Sequence, residues 1–210
     1  YERDYQGNLV ATYNADGYDV TNYYDSLGRR TATADAWGYR WFGYNNAGLL
    51  TSVSDAFGYE QWKNYDLLDR PIYVSDANGV MTTNTYDDLN RLLSRGHPDG
   101  GVERFSYSAR GLVAYTNQLG LGTLYALDAA GRKTYETNAN QEVVAYSYSP
   151  AGDLLTLTDG KGQATTWGYD DFGRLTNKLD QTDTEILRYA YDPDNRLTNR
   201  WSAAKGNTGY

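Results

Sequence analysis

Apolar and polar residues alternate along this chain in short runs, and the runs break about every ten residues. Leu175-Thr176-Asn177-Lys178-Leu179 is one such run. Phe42, Phe105, Tyr125, Tyr146, Trp167 and Tyr189 each stand two residues before a recurring anchor position. A spacing of two places both side chains on one face of an extended strand. No long stripe of period 3.6 is present. The runs are interrupted by Gly, Asn and Asp, which favour turns. The pattern predicts many short strands joined by frequent reversals.

The breaks are periodic. Tyr24-Asp25-Ser26-Leu27-Gly28-Arg29 recurs as Tyr65-Asp66-Leu67-Leu68-Asp69-Arg70 and Tyr86-Asp87-Asp88-Leu89-Asn90-Arg91. It returns as Tyr169-Asp170-Asp171-Phe172-Gly173-Arg174 and Tyr191-Asp192-Pro193-Asp194-Asn195-Arg196. Looser copies begin at Tyr44, Tyr107, Leu127 and Tyr148, and a degenerate first copy puts Arg3 at the anchor and Gly7 on the glycine column. Residues 1–210 therefore read as a single array of about ten repeats, each 20 to 22 residues long.

The turn column is Gly7, Gly28, Gly48, Asp69, Asn90, Gly111, Gly131, Gly152, Gly173 and Asn195. Every departure from Gly is Asp or Asn, the residues that best tolerate a left-handed backbone after Gly. The column thus calls for positive φ. The Asp that follows the anchor Tyr can accept a hydrogen bond from the backbone two residues on. A second turn lies about ten residues later, at Gly17, Gly38, Gly58, Gly79, Gly100 and Gly162, and is varied at Asn140-Gln141 and Asp183.

Each repeat reads as strand, turn, strand, turn. Because one hairpin is not stable alone in water, adjacent repeats must add strands to a common sheet. The expected fold is all-β: tandem two-stranded repeats in one long, twisted, curved antiparallel sheet, with equivalent rings stacked in columns along it. The unusual content of 22 Tyr, 22 Gly and 5 Trp against 4 Pro fits that picture.

Charge and cysteine content narrow the function. A net charge of −8 argues against a nucleic-acid partner. No run of 18 apolar residues exists to span a membrane as a helix, and no basic-then-apolar leader opens the chain. With no cysteine there are no disulfides and no thiolate metal sites. Neither end carries an evident polar cap, so a fragment of a longer protein is expected, with open edges that invite edge-to-edge self-association.

The pattern Tyr-Asp-x-x-Gly-Arg-Leu/Val, followed by Asp-Ala-x-Gly about ten residues later, resembles the YD or Rhs repeat, and the likeness covers essentially the whole chain. The family includes bacterial Rhs polymorphic toxins, the B and C components of insecticidal toxin complexes, wall-associated proteins and teneurin ectodomains. The resemblance implies a spiralling β-sheet shell that, in the toxins, encloses a C-terminal toxin domain until delivery. It also implies a secreted or bacterial cell-surface location. Many members carry an Asp-Pro-rich autoprotease core. Asp192-Pro193 falls at the Tyr-Asp position of an ordinary repeat and is no counterpart of it.

No residue stands outside the repeat register as a catalyst. His97 is the obvious candidate for general acid–base work, as histidine is the usual residue for it, but it occupies the polar turn-entry column of Asn14, Asp35, Asp55, Asp76, Gln118, Asn138, Asp159 and Asp180. The Asp members of that column could hold Ca²⁺, yet carboxylates that open turns need no metal. Neither a catalytic carboxylate pair nor a G-x-S-x-G, phosphate-loop or H-E-x-x-H motif is present. No metal site, cofactor or enzymatic activity is therefore expected.

Tyr24, Gly28, Arg29, Tyr65, Arg70, Tyr86, Arg91, Tyr169, Gly173, Arg174, Tyr191 and Arg196 read as structural anchors of the repeats. In the Arg column, which includes Arg132, each guanidinium is expected to bond turn carbonyls or the Asp column and to stack on Tyr. Trp37, Trp41, Trp62, Trp167 and Trp201 could instead stack on sugar rings. Two readings follow. One is a shell segment enclosing a toxin or other C-terminal domain of the parent chain. The alternative is an adhesion surface that binds cell-surface glycan or protein.

Overall fold

The computed structural model describes residues 1–15 and 19–209, so Gly17 and Tyr210 lie outside the described residues. Among the described residues there are 21 strands and no helix. Most strands run for five to seven residues, as in Arg30–Asp35, Leu154–Thr158 and Glu185–Tyr191.

The strands fall into two compact units, Tyr1–Arg104 and Phe105–Tyr210. Each unit is an open antiparallel meander in which every strand pairs with its neighbours in sequence. Val20–Tyr24 pairs with Arg30–Asp35, and that strand pairs with Gly38–Tyr44. In the second unit Val143–Tyr148 pairs with Leu154–Thr158, which pairs with Ala164–Tyr169. The all-β antiparallel fold is thus the one the alternating pattern predicts.

Each Tyr-Asp turn is closed by two backbone bonds. At the second repeat Gly28 N–H donates to Asp25 O at 3.0 Å, and Asp25 N–H donates to Arg29 O at 2.9 Å. Three residues lie between Asp25 and Arg29, and the third must be left-handed to close the loop without splaying the strands. All ten positions of the turn column have positive φ, from 62° at Asp69 and 63° at Asn90 to 142° at Gly111. The second turns use the same geometry, at Gly79 (76°), Gly120 (79°), Gln141 (65°) and Asp183 (59°).

A feature the alternating pattern does not reveal recurs directly after the Tyr-Asp turn. Tyr24 pairs with Arg30 while Tyr23 pairs with Ala32, so Thr31 is an extra residue. The same slip inserts Thr51, Ile72, Thr134, Leu155, Thr176 and Thr198. Each is a β-bulge, which bends its strand and increases the local right-handed twist. Where the extra residue is Thr31, Thr134 or Thr198, its hydroxyl donates back to the carbonyl of the residue before the anchor, at 3.1 to 3.3 Å.

There is almost no enclosed core. Among the described residues Ala11, Ala32 and Asn22 are buried, and no large side chain is fully so. Ala32 is covered because it lies across from Tyr23 on one side and Trp41 on the other. The accessible surface is 13,927 Å², whereas a globular protein of 23.6 kDa exposes about 9,800 Å². The excess is what single sheets with two open faces would show. Large apolar side chains such as Trp37, Phe57, Leu67 and Phe172 remain almost wholly exposed.

Candidate functional site

The most organised chemistry among the described residues is a clasp whose Asp–Arg pair recurs in five of the repeats, built from the Tyr-Asp-x-x-Gly-Arg residues. Its first part is the Asp carboxylate. Asp25 Oδ1 accepts from Leu27 N–H at 3.0 Å and Arg29 N–H at 2.9 Å, while Oδ2 accepts from Arg29 Nε at 2.7 Å. Asp66, Asp87, Asp128 and Asp170 repeat all three bonds with Arg70, Arg91, Arg132 and Arg174. At Asp25, Asp87 and Asp128 the Arg backbone N–H is the chief cause holding the carboxyl below its ordinary value.

The second part is the guanidinium. Arg70 Nη1 donates to Asp87 O at 2.7 Å and to Asn90 Oδ1 at 3.1 Å, in the next repeat, and the group lies 5.0 Å over the Tyr86 ring. Arg132 reaches Ser149 O at 3.0 Å and lies 4.8 Å over Tyr148. Arg174 reaches Asp192 O at 3.2 Å and lies 4.7 Å over Tyr191, and Arg29 lies 5.0 Å over Tyr44. Planarity and five donors let one side chain hold its own turn, the next turn and the next ring together. Arg196 differs: its side chain pairs with Asp194 at 3.3 Å.

The third part is the anchor hydroxyl, which points the other way along the array. Tyr24 OH donates to Leu9 O at 2.9 Å, Tyr65 OH to Leu50 O at 2.7 Å and Tyr86 OH to Pro71 O at 3.0 Å. Tyr148, Tyr169 and Tyr191 bond Lys133 O, Leu154 O and Leu175 O in the same way. Each acceptor is the first residue after the preceding turn, where the bulge interrupts the ladder. Burial pushes the phenols of Tyr65, Tyr86 and Tyr169 up, so they remain donors. Sequence reading missed this reach, since a donor and acceptor about 15 residues apart leave no local pattern.

The polar column at the second turn caps backbone rather than reaching for a ligand. Asp76 Oδ1 accepts from Asn78 and Val80 N–H, and Asp159 and Asp180 do the same in their turns. In the His97 turn the capping carboxylate is Asp99, which accepts from Gly101 N–H at 2.9 Å. His97 Nε2 lies 3.2 Å from Glu103 Oε2. Among the described residues no group of three or more His, Cys, Asp or Glu side chains is placed to hold a metal ion.

The five tryptophans are dispersed. Trp37 sits exposed at a hairpin tip, and Trp41 is stacked on Tyr39 at 5.7 Å. Trp62 tilts against Tyr73 at 6.3 Å. Trp167 is covered by Lys178 at 5.3 Å and Trp201 by Arg188 at 5.7 Å. The expected column of ring upon ring is modified by such cations: Lys133 sits 5.6 Å from the Tyr125 ring and 4.8 Å from Tyr146, and Arg30 lies 4.7 Å over Phe42. The spacing from one repeat to the next, about two strand separations or 9.6 Å, is too wide for direct stacking, and a cation fills the gap.

Residues 148–186 match the family model described as RHS Repeat. That segment is similar to an RHS repeat. The double-stranded DNA deaminase toxin A of Burkholderia cenocepacia strain H111 is 27% identical over 180 residues, covering 81% of this chain and 11% of that protein. The probable deoxyribonuclease RhsA of Dickeya dadantii is 28% identical, covering 74% and 10%. The chain thus spans about a tenth of the length of these relatives. In structure it is similar to TcdB2-TccC3-TEV (TM-score 0.72, 19% identity, 94% of this chain and 12% of that one). It is equally similar to the Tc holotoxin pore of Photorhabdus luminescens (TM-score 0.72, 18% identity, 97% and 12%). At such identities the likeness is one of fold.

Proposed function

We propose that this chain is a wall segment of a container, and that the ten repeats act as one array enclosing a toxin or other domain of the parent polypeptide for delivery outside the cell. The observation that carries this reading is the clasp. The groups of the clasp are used in closing turns and joining repeats: Asp66 closes its own turn, Arg70 reaches forward to the next repeat and the Tyr65 hydroxyl reaches back to the previous one. Such a chain adds surface without adding a reactive cleft, which suits a wall and gives it no catalytic role of its own. The deaminase and deoxyribonuclease named among the relatives are far longer proteins, and on this reading their activities reside outside the matching repeats.

The test is an electron-microscopy map of the parent protein. The container reading expects wall density around an interior that holds polypeptide. An open sheet with both faces in solvent would overturn it, and binding of the isolated chain to cell-surface glycan would then favour the adhesion reading.

A further inference from the structure

Two tyrosines of the first two repeats meet above a strand that lies between them. Tyr23 is on Val20–Tyr24 and Tyr39 on Gly38–Tyr44, and Arg30–Asp35 separates the two. On the middle strand Tyr23 pairs with Ala32, and Tyr39 with Ala34. Two methyl groups leave the space above that strand open, and both rings lean into it. Their centroids are 6.1 Å apart and their planes 30°, although the strands that carry them are two separations, about 9.6 Å, apart.

The contact is open to solvent: Tyr23 is 43% and Tyr39 47% exposed. The two hydroxyls bond each other, and that bond is the chief cause raising the Tyr23 phenol above its ordinary value. Trp41 stacks on Tyr39 at 5.7 Å and 12°, which narrows the orientations open to that ring. Neither phenol serves the clasp. The adjacent Tyr24 sends its own hydroxyl to Leu9 O from the other face of the strand. Nor does the repeat require Tyr at position 23, since the residue before the anchor is Gly43, Thr85 or Gly168 in other copies. Packing alone needs no hydroxyl at either place, because Phe would fill the same space.

We infer that Tyr23 and Tyr39 are an oxidative cross-linking site, where a peroxide acting through a one-electron oxidant joins the two rings as dityrosine and staples the first repeat to the second. Each phenol gives up one electron and its hydroxyl proton. The peroxide takes both electrons and both protons and leaves as two waters. The two phenoxyl radicals form a carbon–carbon bond between positions ortho to their oxygens. The hydrogens on those two carbons then move to the oxygens and restore both phenols, so the chain loses two hydrogen atoms in all. Rotation of two half-exposed side chains, a fast motion at such sites, brings the ortho carbons into reach. The site does not depend on the container reading.

Hydrogen peroxide with a haem peroxidase, applied to the dilute chain, tests it. The monomer is then isolated, cut after Arg and read by mass spectrometry. Tyr39 is the one tyrosine of residues 31–40, so a link to it is read directly. The expected result is residues 31–40 joined to residues 4–29 with two hydrogens missing. The joined pair should vanish in Tyr23→Phe and in Tyr39→Phe, each of which keeps its ring and loses one oxygen. It should persist in Tyr135→Phe, which removes an exposed phenol of another repeat. In the linked chain, amide exchange in the strand Arg30–Asp35 should slow about tenfold or more, as expected for closing a loop of about 16 residues. Dityrosine at other positions without this link, a link that survives Tyr23→Phe, or no dityrosine at all would overturn the inference. So would exchange that the link leaves unchanged.

Discussion

Replacing Tyr65 with Phe removes one oxygen atom and leaves the ring in place. The lost bond is the 2.7 Å donation to Leu50 O, part-buried and at the bulge where the ladder is interrupted. A net hydrogen bond contributes about 1 kcal/mol, and stranding a part-buried acceptor moves the loss toward about 1.5 kcal/mol. Tyr24→Phe is the internal control. The Leu9 carbonyl that loses Tyr24 keeps a second donor, Asn22 Nδ2 at 3.1 Å, so its loss should sit near 0.5 kcal/mol. Because repeats open piecewise, a global melting midpoint would average the effect away. Amide hydrogen exchange in the strand Leu50–Asp55 reads it locally. Tyr65→Phe is expected to speed exchange there about fivefold or more, with the strand Leu175–Leu179 unaffected. Equal losses for the two variants, or a larger loss for Tyr24→Phe, would refute the claim that the anchor hydroxyl clasps the previous repeat.

Gly173 has φ of 76° with nothing within 4 Å of a Cβ, so any penalty there is one of backbone alone. Gly173→Asn should be close to neutral, as Asn90 and Asn195 already occupy the column, whereas Gly173→Val should cost about 1–3 kcal/mol, read by amide exchange in the strand Leu175–Leu179. The carboxyls of Asp25, Asp87 and Asp128 are lowered from their ordinary 3.8, chiefly by the Arg backbone N–H groups. A group depressed in the folded state stabilises above its unfolded pKa and loses that contribution as pH falls through the folded one. Unfolding monitored by circular dichroism should thus be independent of these groups from about pH 5 to 7 and should become easier below about pH 4.

The turn column was legible because one physical demand, positive φ, restricts the residue type, and Gly28, Asp69 and Asn90 are its three answers. The Asp role was legible for a similar reason: a bond to the residue two positions on is local. The Arg column was read only in part. Its partner is the Asp of its own turn and the carbonyl of the next, not the polar column at the second turn. The bulge at Thr31 and Thr176 was missed because an extra residue is defined by the partner strand, and an alternating pattern records only its own strand. A signal existed in the Thr that often follows one residue after the turn's Leu, as at Thr51, Thr176 and Thr198. Lys133 between Tyr125 and Tyr146 was missed likewise, since the rings advertise stacking and the strand spacing forbids it.

The container account turns on whether these repeats shield polypeptide. The direct measurement is the rate at which a protease cleaves the remainder of the parent chain, with the wall intact and after mild urea has loosened it. The account predicts that the enclosed part is cut slowly in the intact protein and at the rate of the isolated segment once the wall opens. Equal rates in both conditions would contradict it.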